Sequence, residues 1–235
     1  MRRWQSYYDI LFFPLLTIFA ATVVMGLTGL ILNGSFQTLT QIDNQMIIKT
    51  AEITRYLCGF LIANSPLLIM INLLSRKYDD ITPVFIGVIG YIIFHITTMF
   101  FASSTLPRNV FAPVMGISID VSQFSITGSG LRYPLITGML AVAIVTYITR
   151  STYRISRKRS TYGYLAFINR KAWALLITGF FTFVAGMLIA FVWPYLVSVI
   201  YYIFKIIAND ITNPMNLFLY GILDRVMEIT GSSSI

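Results

Sequence analysis

Five apolar runs of membrane-crossing length divide this 235-residue chain. They lie near residues 10–32, 57–74, 84–102, 133–149 and 172–204. A spanning helix needs about 20 mostly apolar residues, and in lipid its backbone polar groups must be satisfied within the segment. The expected fold class is therefore all-α integral membrane, with residues 1–235 forming one membrane domain. Composition agrees. Hydrophobic residues make up 57% of the chain and charged residues 11%, where a soluble domain carries roughly twice that charged share. A chain of this length has no room for a sizeable soluble enzyme beside the spans.

The runs differ in detail. The first starts near Ile10, holds Pro14 and is too long for the apolar core of a signal peptide, so it reads as a retained span. Asn64-Ser65-Pro66 interrupts the second. The third holds the only histidine, His95, and Pro134 should start the fourth. The fifth is too long for one straight crossing, and Trp193-Pro194 should kink it or end its membrane part. Residues 36–56 mix Ile42, Met46, Ile47 and Ile53 with Asp43, Lys49, Glu52 and Arg55, a pattern that fits an amphipathic helix lying along the interface or packed against the bundle. Residues 106–130 read as a loop, with a short re-entrant piece at 110–119. A C-terminal helical segment is expected after the fifth run.

The net charge of +8 would suit nucleic acid in a soluble protein. Here the basic residues fall between spans, so topology and lipid headgroups account for them and no nucleic-acid partner is expected. With the N-terminus cytoplasmic, the inner side carries Arg2, Arg3, Arg76, Lys77, Arg150, Arg154, Arg157, Lys158, Arg159, Arg170 and Lys171. Lys49, Arg55, Arg108, Arg132, Lys205 and Arg225 remain outside. The basic stretch 150–171 is also a candidate docking surface for an acidic cytoplasmic partner. Gly179, Ala185, Gly186 and Ala190 mark a small-residue side of the fifth span, suited to close packing or a dimer face.

Catalytic patterns are missing: there is no Walker loop, GxSxG, HExxH or acidic metal cluster. No catalytic, metal or cofactor site is expected. His95 is expected to be a hydrogen-bonded bundle residue rather than a proton relay. The lone Cys58 lies in an apolar run, which suppresses its thiolate. Polar groups near membrane depth include Asn64, Asn72, Asp210, Asp224, Arg225 and Glu228. Asp224 and Glu228 share a helix face, with Arg225 three residues before Glu228. They form either a salt-bridged helix end or a polar wall able to hold sugar hydroxyls.

Several ordered stretches carry a family resemblance. They are Phe13-Pro14, Pro66-Leu67-Leu68 with Lys77, Asp79 and Gly90-Tyr91, then the run from Tyr164 to Lys171, the run from Gly186 to Trp193-Pro194, and Leu219-Tyr220-Gly221-Ile222-Leu223-Asp224-Arg225 followed by Thr230-Gly231. In this order they resemble the membrane component, enzyme IIC, of the bacterial phosphotransferase system, in its glucose, maltose and N-acetylglucosamine superfamily. The resemblance covers the scaffold and dimer-forming N-terminal half. It implies a multi-pass protein of the bacterial cell membrane that takes part in phosphorylation-coupled sugar uptake. It also implies a homodimer, or a heterodimer with a full-length enzyme IIC, and a separate enzyme IIB on the cytoplasmic side. Its substrate-binding candidates are Asp224, Arg225, Glu228, Ser233 and Ser234. The family's histidine pair aligns with Ser233 and Ser234, and its Ile-Pro with Glu228-Ile229. These departures leave an alternative expectation, a truncated enzyme IIC-like interaction or regulatory protein without transport.

Overall fold

The computed structural model describes residues 2–40, 44–78, 80–102, 111, 114–120, 131–158, 169–208 and 213–230. The described chain is almost wholly helical, and its contacts divide it into two compact units, Met1–Arg76 and Lys77–Ile235. Among the described residues, three helices hold segments long and apolar enough to cross a membrane: Leu11–Ile31, Thr82–Phe101 and Arg170–Lys205. A bent pair, Gln45–Ala63 with Ser65–Ser75, makes a fourth if the two are one crossing.

The first unit contains α1 (Arg2–Ile31), α2 (Gly34–Thr40), α3 (Gln45–Ala63) and α4 (Ser65–Ser75), with α1 packed on α3 and α4. In α1 the hydroxyls of Thr17, Thr22 and Thr28 donate to carbonyls one turn back, so the apolar helix carries no unmet hydroxyl at those positions. Asn44 caps α3: its side-chain oxygen accepts from the Met46 amide at 2.9 Å. The sequence separates an interfacial helix at 36–56 from a span at 57–74. The structure instead runs one helix across that boundary, because nothing between Tyr56 and Leu57 opposes it. The break comes at Asn64, where the chain bends by 56°. Pro66 brings no amide hydrogen to the first turn of α4, and the backbone and side-chain N–H groups of Asn64 both turn back to the Phe60 carbonyl. Cys58 is buried and free.

The second unit contains α5 (Thr82–Phe101), α6 (Gly138–Lys158), α7 (Arg170–Ala208) and α8 (Pro214–Thr230). Between α5 and α6 the described residues form a turn at Val114–Gly116 and an antiparallel pair, β1 (Ile119–Asp120) with β2 (Leu131–Arg132), in which Ile119 lies opposite Arg132. Where it is described, the segment 110–119 holds a single 3-10 turn at Val114–Gly116 and the start of β1 at Ile119. Met115 and Gly116 both adopt positive φ and turn the chain. The fourth run is also shifted. Pro134 does not start it; α6 begins at Gly138, whose φ is 45°, and carries on through Lys158. Arg and Lys are good helix formers, so the basic stretch up to 158 extends the helix instead of looping. Those charges keep α6 out of the membrane-length set. The helix of the fifth run continues through Trp193-Pro194: α7 is one helix of 39 residues, about 58 Å at the usual rise per residue.

The core of this unit lies where α5, α6 and α7 meet, around Tyr91, Phe94, Met99, Val142, Val145 and Ala174. The close approach of α5 and α7 is permitted by two glycines. A Cβ on Gly186 would stand 2.8 Å from the Phe94 carbonyl oxygen and 3.0 Å from Thr97 Cβ. A Cβ on Gly90 would stand 3.2 Å from the Thr182 methyl and 3.3 Å from that of Thr178. The small-residue side of the fifth span is thus filled from within the chain by α5, with Gly186 and Ala190 buried. Thr152 on α6 and Thr178 on α7 share a hydrogen bond of 2.6 Å. His95 is fully buried but is not hydrogen-bonded as expected. Neither ring nitrogen has a partner among the described residues, and the ring packs edge-on against Tyr91 and Phe94. Gly186→Ala should cost about 1–3 kcal/mol, the usual range for overpacking a close contact. Gly221→Ala on α8, where nothing lies within 4 Å, should leave stability unchanged or slightly higher. The thermal midpoints of the purified variants in detergent would check both.

Candidate functional site

Asp80 precedes α5 and organises one end of the second unit. Its Oδ1 accepts from the Thr82 amide at 3.0 Å and the Thr82 hydroxyl at 2.7 Å, which fixes the start of α5. Its Oδ2 accepts from the Tyr153 hydroxyl on α6 at 3.0 Å and pairs with Lys171 Nζ on α7 at 3.0 Å. One carboxylate therefore joins the starts of α5 and α7 to the end of α6. The Thr82 hydroxyl and amide, then Lys171, hold its carboxyl far below the usual range, against a small opposing effect of burial. The ion pair is half open to water, so its worth lies in geometry more than in raw attraction. Burial and the bond to Asp80 push the Tyr153 phenol up. Tyr78 packs edge-on to Tyr153, with ring centroids 5.1 Å apart.

Around Asp80 lies a cleft of about 520 Å³ between the end of α6 and the start of α7, lined among others by Ser156, Arg157, Asn169, Arg170 and Lys171. Asn169 starts α7: its carbonyl accepts from the Trp173 amide at 2.9 Å and its side-chain oxygen from the Lys171 amide at 3.3 Å. Ser156 is 2% exposed, and its hydroxyl has no partner among the described residues. An unmet buried hydroxyl costs about 1–3 kcal/mol. A second cleft of about 640 Å³ shares Tyr78 and Arg157 with the first and is lined by Lys77, Arg150, Arg154 and Lys158. Arg150, Arg154, Arg157 and Lys158 recur at helical spacing, so one face of α6 is a basic stripe.

The sequence-predicted candidates lie elsewhere. Asp224, Arg225 and Glu228 fall on α8 with the expected helical spacing. Their side chains, and Ser233, Ser234 and Asp210 altogether, lie outside the described residues. α8 starts at an Asn213 cap, with the Met215 amide 3.0 Å from its side-chain oxygen, and Tyr220 packs edge-on to Phe204 of α7. Among the described residues no cluster of His, Cys, Asp or Glu could hold a metal ion. The Asp80 node is not among those candidates, although Asp80-Ile81-Thr82-Pro83 has the composition of a helix start. The sequence matches no known protein family and no curated protein.

Asp80→Asn should loosen this end of the unit and lower the thermal midpoint. Because the folded carboxyl is depressed, its contribution is complete above the unfolded value of about 3.9 and fades as pH falls below it. The gap between wild type and Asp80→Asn should stay constant from neutral pH to about 5 and shrink below about 4. Melting curves across that range would check this.

Proposed function

We propose that this chain is the scaffold part of an enzyme IIC-type membrane component for phosphorylation-coupled sugar uptake. On this reading it crosses the bacterial cell membrane five times, with residues 133–149 as the fourth crossing and the N-terminus in the cytoplasm. The observation that supports the reading best is the Asp80 node. It gathers the start of α5, the end of α6 and the start of α7 at one end of the unit, as successive antiparallel crossings require. That end also carries the basic residues of both clefts, which the positive-inside rule assigns to the cytoplasm. Lys77 and Lys171, which belong to the resembling stretches, line it. So do the contacts of α5 with α7 draw on such stretches, through Gly90 and Gly186. A basic face of this kind suits an acidic cytoplasmic protein such as an enzyme IIB. Asp224, Arg225 and Glu228 are the proposed sugar-facing groups.

Two experiments test the reading. Lys158→Cys should react with a membrane-impermeant thiol reagent only once the cytoplasmic face is opened. Cys58 is buried and gives little background. Labelling from outside intact cells would overturn the orientation. Membrane vesicles carrying the chain, a companion chain that completes the family pattern and the soluble phosphotransferase proteins should form sugar phosphate from labelled hexose or disaccharide. Correctly inserted protein that forms none would overturn transport and leave the membrane interaction protein as the reading.

A further inference from the structure

The cleft between the end of α6 and the start of α7 holds chemistry that sugar uptake does not use. Ser156 lines it, is 2% exposed, and its hydroxyl has no partner among the described residues. Buried polar groups are nearly always bonded, and among the described residues with an unmet buried hydroxyl Ser156 is the one that lines this cleft. Arg157 follows Ser156 on α6, and Arg170 and Lys171 line the cleft from the first turn of α7. Asp80 is the carboxylate present, and both its oxygens are engaged by Thr82, Tyr153 and Lys171. Three cations thus surround one satisfied carboxylate, and the first turn of a 39-residue helix adds its positive end.

We infer that this cleft binds a phosphate group, with Ser156 donating to one oxygen and Arg157 and Arg170 pairing with the others. Guanidinium forks match the tetrahedral anion at two oxygens each, which a lysine cannot do. The cleft, at about 520 Å³, has room for the group that carries the phosphate. After Lys171 the helix turns apolar at once, through Ala172, Trp173, Ala174, Leu175 and Leu176. On a spanning helix that change marks headgroup level, with Trp173 as the interfacial aromatic. The phosphate can arrive on an anionic lipid or free from the aqueous side. This inference needs neither the sugar nor the enzyme IIB.

The test uses the full chain in a polyoxyethylene detergent, which carries no phosphate. It is titrated calorimetrically with inorganic phosphate and, separately, with short-chain phosphatidylglycerol. One equivalent should bind saturably. Binding of inorganic phosphate assigns a free ligand, and binding of the lipid alone assigns a headgroup; both support the site. Arg157→Gln with Arg170→Gln should weaken binding by about tenfold or more, the effect of losing one charged hydrogen bond or better. Ser156→Ala should weaken it several-fold. Arg55→Gln on α3, in the other unit, should bind as wild type. Arg157→Lys with Arg170→Lys keeps the charge and should still lose affinity, which answers the case in which the glutamine variant fails to fold. Saturable binding of neither probe, or variants of the cleft that bind like wild type, would overturn the inference.

Discussion

The approach of α5 to α7 at Gly90 and Gly186 sets the spacing on which the second unit rests. Without a side chain at 186, the Phe94 carbonyl and the Thr97 side chain lie directly on the α7 backbone. Over Gly90 the methyls of Thr178 and Thr182 fill the gap. Contacts this close gain dispersion energy along the whole seam, which matters most where surrounding lipid would be as apolar as the protein. Once that distance is fixed, Thr178 stands where Thr152 of α6 can reach it. The ends of the three helices then converge on Asp80.

Convergence creates an electrostatic difficulty that the same end resolves locally. The basic stripe of α6 and the start of α7 bring like charges together, and such crowding is tolerable only with water access or a counter-charge. Arg154, Arg157, Lys158 and Arg170 stay exposed. Asp80 supplies the counter-charge to Lys171 and spends its other bonds on Thr82 and Tyr153. What remains is a surface with excess positive charge over a rigid floor, and that surface is common to the partner reading and the phosphate reading.

Much of the helical layout was legible in the sequence, because long apolar runs leave few alternatives. The first, third and fifth runs appear as α1, α5 and α7, although α1 already begins at Arg2. Boundaries set by local chemistry are less legible. Tyr56 to Leu57 looked like an edge because polarity changes there, but polarity does not stop a helix, and Pro66 does. The basic residues after Arg150 looked like a loop because they are charged, yet they continue α6. Gly186 stands in a small-residue pattern that suits packing or a dimer face, and its contacts with Phe94 and Thr97 are out of reach of a linear pattern. The Asp80 node was illegible for the same reason. Its partners Tyr153 and Lys171 are brought to it by tertiary structure alone.

The threonines of the seam bear on biogenesis. Thr97 and Thr98 on α5, and Thr178 and Thr182 on α7, donate their hydroxyl protons to carbonyls of their own helices. In lipid, each of these helices would meet its neighbours with those donors already satisfied. α6 is differently equipped: the Thr146 and Thr149 hydroxyls are buried with no partner among the described residues, and its second half is basic. It is synthesised after α5 and before α7, so it emerges while part of its groove is still missing. The hydroxyl bond from α6 to a neighbour runs from Thr152 to Thr178 of α7, so its seat is complete only once α7 is in place.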